Sequence, residues 1–299
     1  MTQNIAISGA RGLVGDALTT ALQKSGHKVV PMVRTSSGNA TEILWDIQRG
    51  IVNPDRLKGI DTVIHLAGEN IASGRWNAAI KEKIRNSRVQ GTRSLVNSLR
   101  DSEARPSTLV CASAVGFYGH RGDELLNESS PAGSGFLADV CREWEAEAMK
   151  AEELGIRVVC VRIGVVLSRK GGALAKMLLP FKLGAGGIVG NGRQYWSWIG
   201  LTDLVRILQF CAETPTVKGP VNAVSPEAAT NYQFTKALGS VLHRPTIFPL
   251  PAFMAKLVLG EMADELLLAS IRAQPAALQN AGFKFATPEL KQCLELELR

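Results

Sequence analysis

Three glycines near the N-terminus have the spacing of a phosphate-binding turn. Gly9, Gly12 and Gly15 form a G-x-x-G-x-x-G pattern between a short apolar run at 4–8 and a helix predicted over about 16–24. Glycines at such a turn let the backbone approach a pyrophosphate, and the free N–H groups of the helix N-terminus point at it. This context predicts a dinucleotide site, and a tight turn without a ligand is the alternative.

The end of the second predicted strand indicates which dinucleotide is bound. That strand, at 27–34, ends in Arg34 and is followed by a threonine and two serines at 35–37. An acidic residue at this place accepts hydrogen bonds from the ribose of NAD, whereas an arginine and small hydroxyls suit a 2′-phosphate. We therefore predict NADP(H); the alternative is that Arg34 is a solvated strand end. Besides the glycines, the residues assigned to the cofactor here are Arg11, Leu13, Val14 and Arg34.

The next two strands supply further candidate contacts. A short third strand at 43–46 ends in an acid, and a buried fourth strand at 61–68 ends in small residues that let a cofactor lie against the backbone. His65, inside that apolar run, is predicted to be a core residue rather than a catalyst. A basic helix at about 77–99 follows, and most of its charges indicate a solvated face. The residues assigned to the cofactor in this part are Asp46, Leu66, Ala67, Gly68, Glu69 and Arg88.

The order of the predicted elements indicates the fold class. Further strands at 107–114 and 157–163, separated by a helix at 136–153, give a β-α-β-β-α-β-α-β pattern. Such alternation predicts an α/β protein with a doubly wound parallel sheet, the Rossmann fold. We predict an NADP-binding domain at 1–163, completed by about 201–225. A small, mostly helical substrate lobe is predicted at 164–200 and 226–299.

Two stretches of the predicted lobe have alternative interpretations. The glycine-rich segment 184–192 is not followed by a helix start, so a mobile flap or a hairpin fits better than a phosphate loop. Tyr195, Trp196 and Trp198 could form a wall of a ligand cavity or pack within a hairpin.

Composition excludes several classes of function. The net charge is +7, but Lys and Arg are dispersed and only 6% of residues are aromatic, which argues against nucleic-acid binding. The five cysteines are widely spaced without a C-x-x-C pair, which argues against a zinc site or a disulfide framework and suits a reducing compartment. A strand begins within four residues of the N-terminus, and no apolar run approaches the roughly 20 residues of a membrane span. We expect a cytoplasmic protein without a metal or a membrane partner.

Several motifs together resemble the extended and atypical short-chain dehydrogenase/reductases, in particular an epimerase-like subgroup sometimes labelled cell-division inhibitor. The resemblance covers essentially the whole chain. It rests on the glycine turn and on 66–71, Ser113, Tyr118-Gly119, 75–76, 179–184, 190–199 and Asp203. It implies a Rossmann fold that binds NADP(H), with a short C-terminal module at about 244–298 in the substrate lobe.

The chain departs from this family where its chemistry usually lies. Typical members carry a Y-x-x-x-K pair on the helix after the fifth strand, where the tyrosine transfers a proton and the lysine binds the nicotinamide ribose. Aligning Glu145 with the acidic residue typical of that helix puts Leu137 and Cys141 at the tyrosine and lysine positions. Neither side chain can do that acid–base work.

Three functional interpretations follow. In the first, the chain is an oxidoreductase or epimerase with a relocated acid: Ser113 and Tyr118 are the catalytic candidates, and Lys182 and Arg193 orient an anionic substrate. In the second, it is an NADP(H)-binding redox sensor without turnover. In the third, it is a structural or regulatory partner. The partners expected are an unknown small molecule and, through exposed helices, a second copy of the chain.

Overall fold

Mostly apolar, buried runs form the central strands of the protein. The computed structural model describes residues 2–36, 38 and 41–299. Within these residues the strands are β1 (Asn4–Ser8), β2 (Lys28–Val33), β3 (Ile43–Asp46), β4 (Gly50–Ile51), β5 (Thr62–His65), β6 (Thr108–Ala114), β7 (Leu125–Leu126), β8 (Arg157–Ile163), β9 (Val165–Leu167), β10 (Tyr195–Trp196), β11 (Trp198–Gly200), β12 (Gly219–Ala223), β13 (Ala229–Thr230) and β14 (Arg272–Ala273).

Eight of the strands in the described chain form one sheet in the order β12-β8-β6-β5-β1-β2-β3-β4. Neighbouring strands are parallel except at the edge, where β4 turns back antiparallel to β3. Strands buried on both faces read as continuous apolar runs, which is why the sequence predicted them well. The order reverses between β1 and β5, the place where open α/β sheets bind ligands.

Helices connect the strands and cover the sheet. The α-helices of the described chain are α1 (Leu13–Lys24), α2 (Ala78–Asp101), α3 (Phe136–Met149), α4 (Gly172–Lys182), α5 (Leu201–Glu213), α6 (Asn231–Leu242), α7 (Ala252–Leu259), α8 (Glu261–Ala263), α9 (Ala276–Asn280) and α10 (Leu290–Glu297). Short 3₁₀ turns occupy Pro54–Leu57, Val115–Tyr118 and Lys150–Leu154, and a π-helical turn occupies Asp264–Leu268.

Helices pack on both faces of the sheet. On one face, Leu18 of α1 and Leu208 of α5 are fully buried in the same apolar cluster as Ile7 of β1. On the other face, Leu95 of α2 and Trp144 of α3 belong to a second cluster. Burial of both faces stabilises a parallel sheet by removing its apolar side chains from water. The predicted doubly wound Rossmann fold is therefore confirmed.

A third apolar core lies outside the sheet, in the helical lobe. It joins Phe181 of α4, Trp196, Trp198, Phe234 of α6 and Leu294 of α10. The two tryptophans are 5% and 1% exposed, so they pack within the lobe and do not form a cavity wall. The exact boundaries assigned to the two domains remain a prediction.

The glycine-rich segment 184–192 is held by the chain near residue 250. Leu250 N donates to Ile188 O (2.8 Å), and Gly190 N donates to Leu250 O (2.9 Å), so Val189 bridges Leu250 in parallel. A Cβ on Gly187 would collide with the Phe248 carbonyl. This pairing with a distant segment differs from the predicted hairpin. Among the described helices, none combines the length and apolarity that crossing a bilayer would require.

Candidate functional site

The predicted cofactor residues meet at one edge of the sheet. The glycine turn follows β1, Arg34 follows β2, Asp46 ends β3 and Leu66 follows β5. Because these strands are parallel, their carboxyl ends lie at the same edge. The structure therefore brings these predicted cofactor residues to the same edge of the sheet.

The glycine turn leaves room for a pyrophosphate because side chains are excluded from it. Gly9 has φ +72°, and a Cβ there would lie 3.0 Å from the Ala67 nitrogen. A Cβ on Gly15 would lie 2.2 Å from the Gly9 oxygen. Gly12 N donates to that oxygen (2.9 Å), and α1 begins at Leu13 without a side-chain cap on its N-terminus. Exposed helix N–H groups beside a glycine cradle fit a phosphate.

A buried hydroxyl fixes the backbone of Leu66 and Ala67, which faces the glycine turn across the cleft between the ends of β1 and β5. Ser8 Oγ accepts hydrogen bonds from Leu66 N (3.1 Å) and Ala67 N (3.2 Å). The same hydroxyl lies 2.7 Å from His65 Nδ1, so it donates its proton to that nitrogen. Burial lowers the pKa of His65 to about 4. His65 is thus a neutral core residue, as predicted, and it supports the backbone of the cleft.

The edge of the sheet beyond β2 carries the predicted positive charges. Arg34 is exposed just beyond β2, and Arg11 is 75% exposed with its Nη2 3.8 Å from Glu42 Oε1. Asp46 Oδ1 accepts from the backbone N–H groups of the turn into β4, and these bonds lower its pKa. Ser37, also predicted at this end, lies outside the described residues. Arg34, Arg11 and Asp46 stay predicted cofactor contacts.

The two predicted catalytic hydroxyls are bound within the chain. Ser113 Oγ donates to Glu145 Oε1 (2.6 Å) and is 3% exposed. Tyr118 is fully buried, and its hydroxyl lies 2.8 Å from Asn222 Oδ1 and accepts from Arg162 Nη1 (2.9 Å). Burial raises the pKa of Tyr118. Neither hydroxyl is free for a substrate in this arrangement, so their catalytic role stays a prediction that requires these bonds to break.

A buried ion pair that the sequence did not predict connects these hydroxyls. Arg162 on β8 donates from Nε and Nη2 to the two oxygens of Glu145 on α3, at 2.8 Å each. The guanidinium also lies 3.5 Å from the centre of the Phe117 ring. The only signal in the sequence was Arg162 itself, an arginine inside an apolar strand. Because a buried charge requires a partner, such an arginine predicts an acidic side chain beside it.

Helix α3 presents apolar and thiol groups where the family pair is missing. A Cβ on Gly116 would lie 3.3 Å from Leu137 Cβ and 3.9 Å from Cys141 Sγ, so the helix packs closely on the turn after β6. Burial raises the pKa of Cys141 to about 12, so its thiol is neutral near pH 7. Leu137 packs in an apolar cluster with Trp76 and Met262.

The C-terminal segment also reaches this helix. Glu265, in the π-helical turn, accepts from Phe136 N (3.1 Å) and Leu137 N (3.3 Å). Its carboxylate therefore caps the N-terminus of α3, where the helix dipole favours negative charge. Because Phe136 and Glu265 are 129 residues apart, the sequence gave no indication of this contact.

Arg88 reaches the cleft from α2. Its guanidinium lies beside Gly68, and its Cζ is 5.3 Å from the centre of the Trp144 ring. Nη1 donates to Ile84 O (3.2 Å) and lies 3.4 Å from Ser87 Oγ. Within the described residues it forms no salt bridge. Helix α4 contacts two other parts of the chain. Lys176 donates to the Ala72 carbonyl (2.8 Å) in the segment after β5, and a Cβ on Gly171, just before α4, would lie 3.4 Å from Leu13 at the start of α1.

Comparison with known proteins identifies relatives along the whole chain. Residues 5–224 match the model of the NAD dependent epimerase/dehydratase family, and residues 250–296 match a domain of unknown function, DUF1731. An epimerase family protein of Mycobacterium bovis, Mb2239, is 44% identical over 94% of this chain and 93% of its own.

Two solved structures are similar in fold and sequence. The crystal structure of the human epimerase family protein SDR39U1 (isoform 2) with NADPH has a TM-score of 0.88 and 32% identity, covering 98% of each chain. A protein described as a nucleoside-diphosphate sugar epimerase from Corynebacterium glutamicum has a TM-score of 0.82 and 38% identity. That match covers 100% of this chain and 58% of the other.

Proposed function

Because the chain belongs to the NAD-dependent epimerase/dehydratase family, we propose that it binds NADP(H) and acts as an oxidoreductase or epimerase on a small carbonyl or alcohol substrate. The glycine cradle carries this proposal: two of its glycines admit no Cβ without a collision or close contact, and the helix behind it has no side-chain cap. A bound nicotinamide would supply hydride transfer. The chain's own residues bind it, orient it and exclude water.

Arg34 is the basis for proposing NADP(H) over NAD(H). It is exposed at the end of β2, next to the strand that carries the glycine turn, and Arg11 adds a second cation at the same edge. The NADPH in the human relative's structure supports this choice, although other proteins of the same fold hold NAD. An arginine fork suits a phosphate, and one charge-assisted contact contributes about 1.4 kcal/mol, or roughly tenfold in affinity.

Fluorescence titration with NADPH and NADH tests this preference. We expect NADPH to bind at least about tenfold more tightly, and Arg34→Ala to remove most of the difference. Arg56→Ala is the matched control, because it removes an exposed positive charge from a 3₁₀ turn elsewhere. Equal affinities for the two nucleotides in the wild type would contradict the NADP(H) assignment.

The proposed proton-handling residues are Ser113 and Tyr118. Their use in catalysis requires release from Glu145 and Asn222, respectively. We expect Ser113→Ala and Tyr118→Phe to lower turnover of bound NADPH while leaving its dissociation constant nearly unchanged. The measurement is NADPH absorbance during incubation with a panel of aldehydes, ketones and nucleotide sugars. A panel that leaves NADPH unoxidised would contradict the oxidoreductase proposal. An epimerase returns its hydride to the substrate, so the epimerase proposal is tested by proton NMR of the nucleotide sugars after incubation, and unchanged sugars would contradict it.

A redox sensor without turnover is the second candidate. It is favoured by the hydrogen bonds that hold the Ser113 and Tyr118 hydroxyls. The predicted alignment, which puts Leu137 and Cys141 at the tyrosine and lysine positions, also favours it. A sensor must distinguish the reduced from the oxidised cofactor, so this candidate predicts unequal affinities for NADPH and NADP⁺ together with no oxidation across the panel. Similar affinities for the two forms would argue against a sensor.

The remaining parts of the proposal concern partners and location. We propose a small-molecule substrate, no nucleic-acid or membrane partner, and a cytoplasmic location. A homodimer through exposed helices is also proposed, and light scattering of the purified protein tests it by mass.

A further inference from the structure

We infer that helix α7 and the end of α4 form a dimer surface, on which α7 packs against α7 of a second copy of this chain. The inference rests on the homodimer in the proposed function and gives it a specific contact, but it does not depend on cofactor binding or turnover. This apolar surface consists of exposed side chains from α4, from the loop before α7 and from α7 itself: Leu179, Leu183, Ile247, Phe248, Phe253 and Leu257.

The exposed apolar side chains of the described structure are concentrated in this surface. Twelve large apolar side chains are exposed among the described residues, and eight of them lie within 179–183 and 247–258. These eight are between 44% and 74% exposed. Single exposed apolar residues are normal in a globular protein, whereas a contiguous group of this size marks a contact with another molecule.

Close contacts hold the two segments side by side. Arg244 Nε, in the loop before α7, donates to the Lys182 carbonyl at the end of α4 (2.9 Å). The segment 184–192, which follows α4, pairs with the chain just before α7. A Cβ on Gly190 in that segment would lie 3.9 Å from Ala252 Cβ at the start of α7. The end of α4, the loop and α7 therefore form one continuous surface.

Helix α7 is apolar on the side that faces water. Ala255 is buried and Leu259 packs in an apolar cluster with side chains of α3, so one side of the helix already contacts the protein. The exposed side carries two rows of residues four apart, Phe253 with Leu257 and Met254 with Val258. A helix that is apolar on all sides is typically buried in the assembled protein. Helix α7 therefore requires a partner for its second side.

Few charges would be desolvated in this contact. The segments 179–183 and 247–258 contain two charged residues, Lys182 and Lys256. Lys256 Nζ lies 2.8 Å from Asp264 Oδ1, so its charge is already paired. Lys182 is exposed beside the surface, and its long stem lets the ammonium stay in water. A surface whose centre is uncharged can pack against its own copy, as the two-fold symmetry of most dimers requires.

The exposed apolar area is sufficient for a stable dimer. With about 60 Å² of apolar area exposed on each of the eight side chains, the surface offers on the order of 500 Å². A stable interface buries about 800 Å² on each partner, and somewhat more than half of that area is apolar. Rows at four-residue spacing on α7 can interdigitate with the same rows of a second copy, in the commonest packing class of two helices. Area, shape and charge thus all fit a second copy.

Light scattering over a dilution series tests the surface by mass. We expect a dimer for the wild type, and Leu257→Glu and Leu183→Glu should each raise its dissociation constant at least about tenfold, because two-fold symmetry buries the new carboxylate twice. Leu125→Glu is the matched control: it makes the same change at an exposed leucine of β7, outside the surface, and should leave the constant unchanged. Thermal unfolding verifies that the three variants fold.

Cross-linking tests whether α7 faces its own copy. The five native cysteines are buried, so the thiol introduced by Leu257→Cys is the accessible one. A short bis-maleimide should link the Leu257→Cys protein into covalent dimers and leave the Leu125→Cys protein uncoupled.

The outcomes separate this inference from the proposed function. A dimer that persists in both glutamate variants, or a Leu257→Cys protein that is not cross-linked, would overturn the α7 contact and leave the homodimer standing. A monomeric wild type would overturn the homodimer as well. Because Lys182 and Arg244 border the surface, an anionic bilayer is the main competing occupant, and a monomer that co-sediments with vesicles of phosphatidylcholine and phosphatidylglycerol would assign the surface to a membrane and overturn the inference.

Discussion

Acid should destabilise this protein through one buried histidine. His65 is fully buried in β5, and burial lowers its pKa from 6.5 to about 4. The folded chain therefore holds the neutral ring, while the unfolded chain takes up a proton near pH 6.5. Stability is fully present above the unfolded pKa and is lost as the pH falls towards the folded one.

The magnitude follows from the two pKa values. A displacement from 6.5 to about 4, at about 1.4 kcal/mol per pH unit, amounts to about 3 kcal/mol once the pH is below both values. Between about pH 7.5 and about pH 5 the expected loss is about 2 kcal/mol of unfolding free energy. That is a large fraction of the stability of an ordinary domain.

Urea unfolding at several pH values measures this loss. His65→Gln cannot titrate, so the difference in unfolding free energy between wild type and variant should shrink by about 2 kcal/mol from about pH 7.5 to about pH 5. His243→Asn is the control, because it removes an exposed histidine and asparagine tolerates its positive φ of 53°. Parallel pH curves for wild type and His65→Gln would refute the reasoning.

Two substitutions test other parts of the site. Gly15→Ala should weaken NADPH binding at least about tenfold, because a Cβ there would lie 2.2 Å from the Gly9 carbonyl oxygen of the same turn. Gly74→Ala is the control and should leave the titration unchanged, because a Cβ there would lie 3.7 Å from Ile80 Cδ1. A normal affinity in the first variant would show that the turn does not hold the cofactor. Glu145→Gln should lower the unfolding free energy by about 3 kcal/mol, because it leaves the buried Arg162 guanidinium without its carboxylate. The control is Glu143→Gln, whose pair with Arg85 is half-exposed, and it should cost less than about 1 kcal/mol. Equal losses of the two variants in urea unfolding would contradict this.

The sequence predicted the sheet well because buried parallel strands leave a local signature. The runs at β1, β5, β6 and β8 are mostly apolar and are buried over most of their length. The glycine turn was local in part: Gly12 and Gly15 contact Gly9, whereas Gly9 itself packs against Leu66 and Ala67 after β5. Short strands such as β4 escaped prediction because two residues carry no periodicity.

The interior of the site was harder to predict because its contacts are distant in sequence. Ser113 was predicted as a catalytic hydroxyl, but that hydroxyl donates to Glu145, 32 residues away. Tyr118 was the other predicted catalytic residue, and its hydroxyl contacts Asn222, 104 residues away. Hydrogen bonds between side chains on separate elements depend on tertiary packing, which spacing along a single chain does not encode.

The capping of α3 by Glu265 has a consequence for how the chain is made. Residues 136 and 137 leave the ribosome well over a hundred residues before the carboxylate that binds their N–H groups. The backbone N–H of Ser270 donates to His120 Nδ1, and Ser270 is made 150 residues after that histidine. A nascent chain can close the glycine turn early, because that turn is local. The wall of the site formed by the N-terminus of α3 acquires these contacts only after residues 265–270 have been made, so the order of translation separates its assembly from that of the glycine turn.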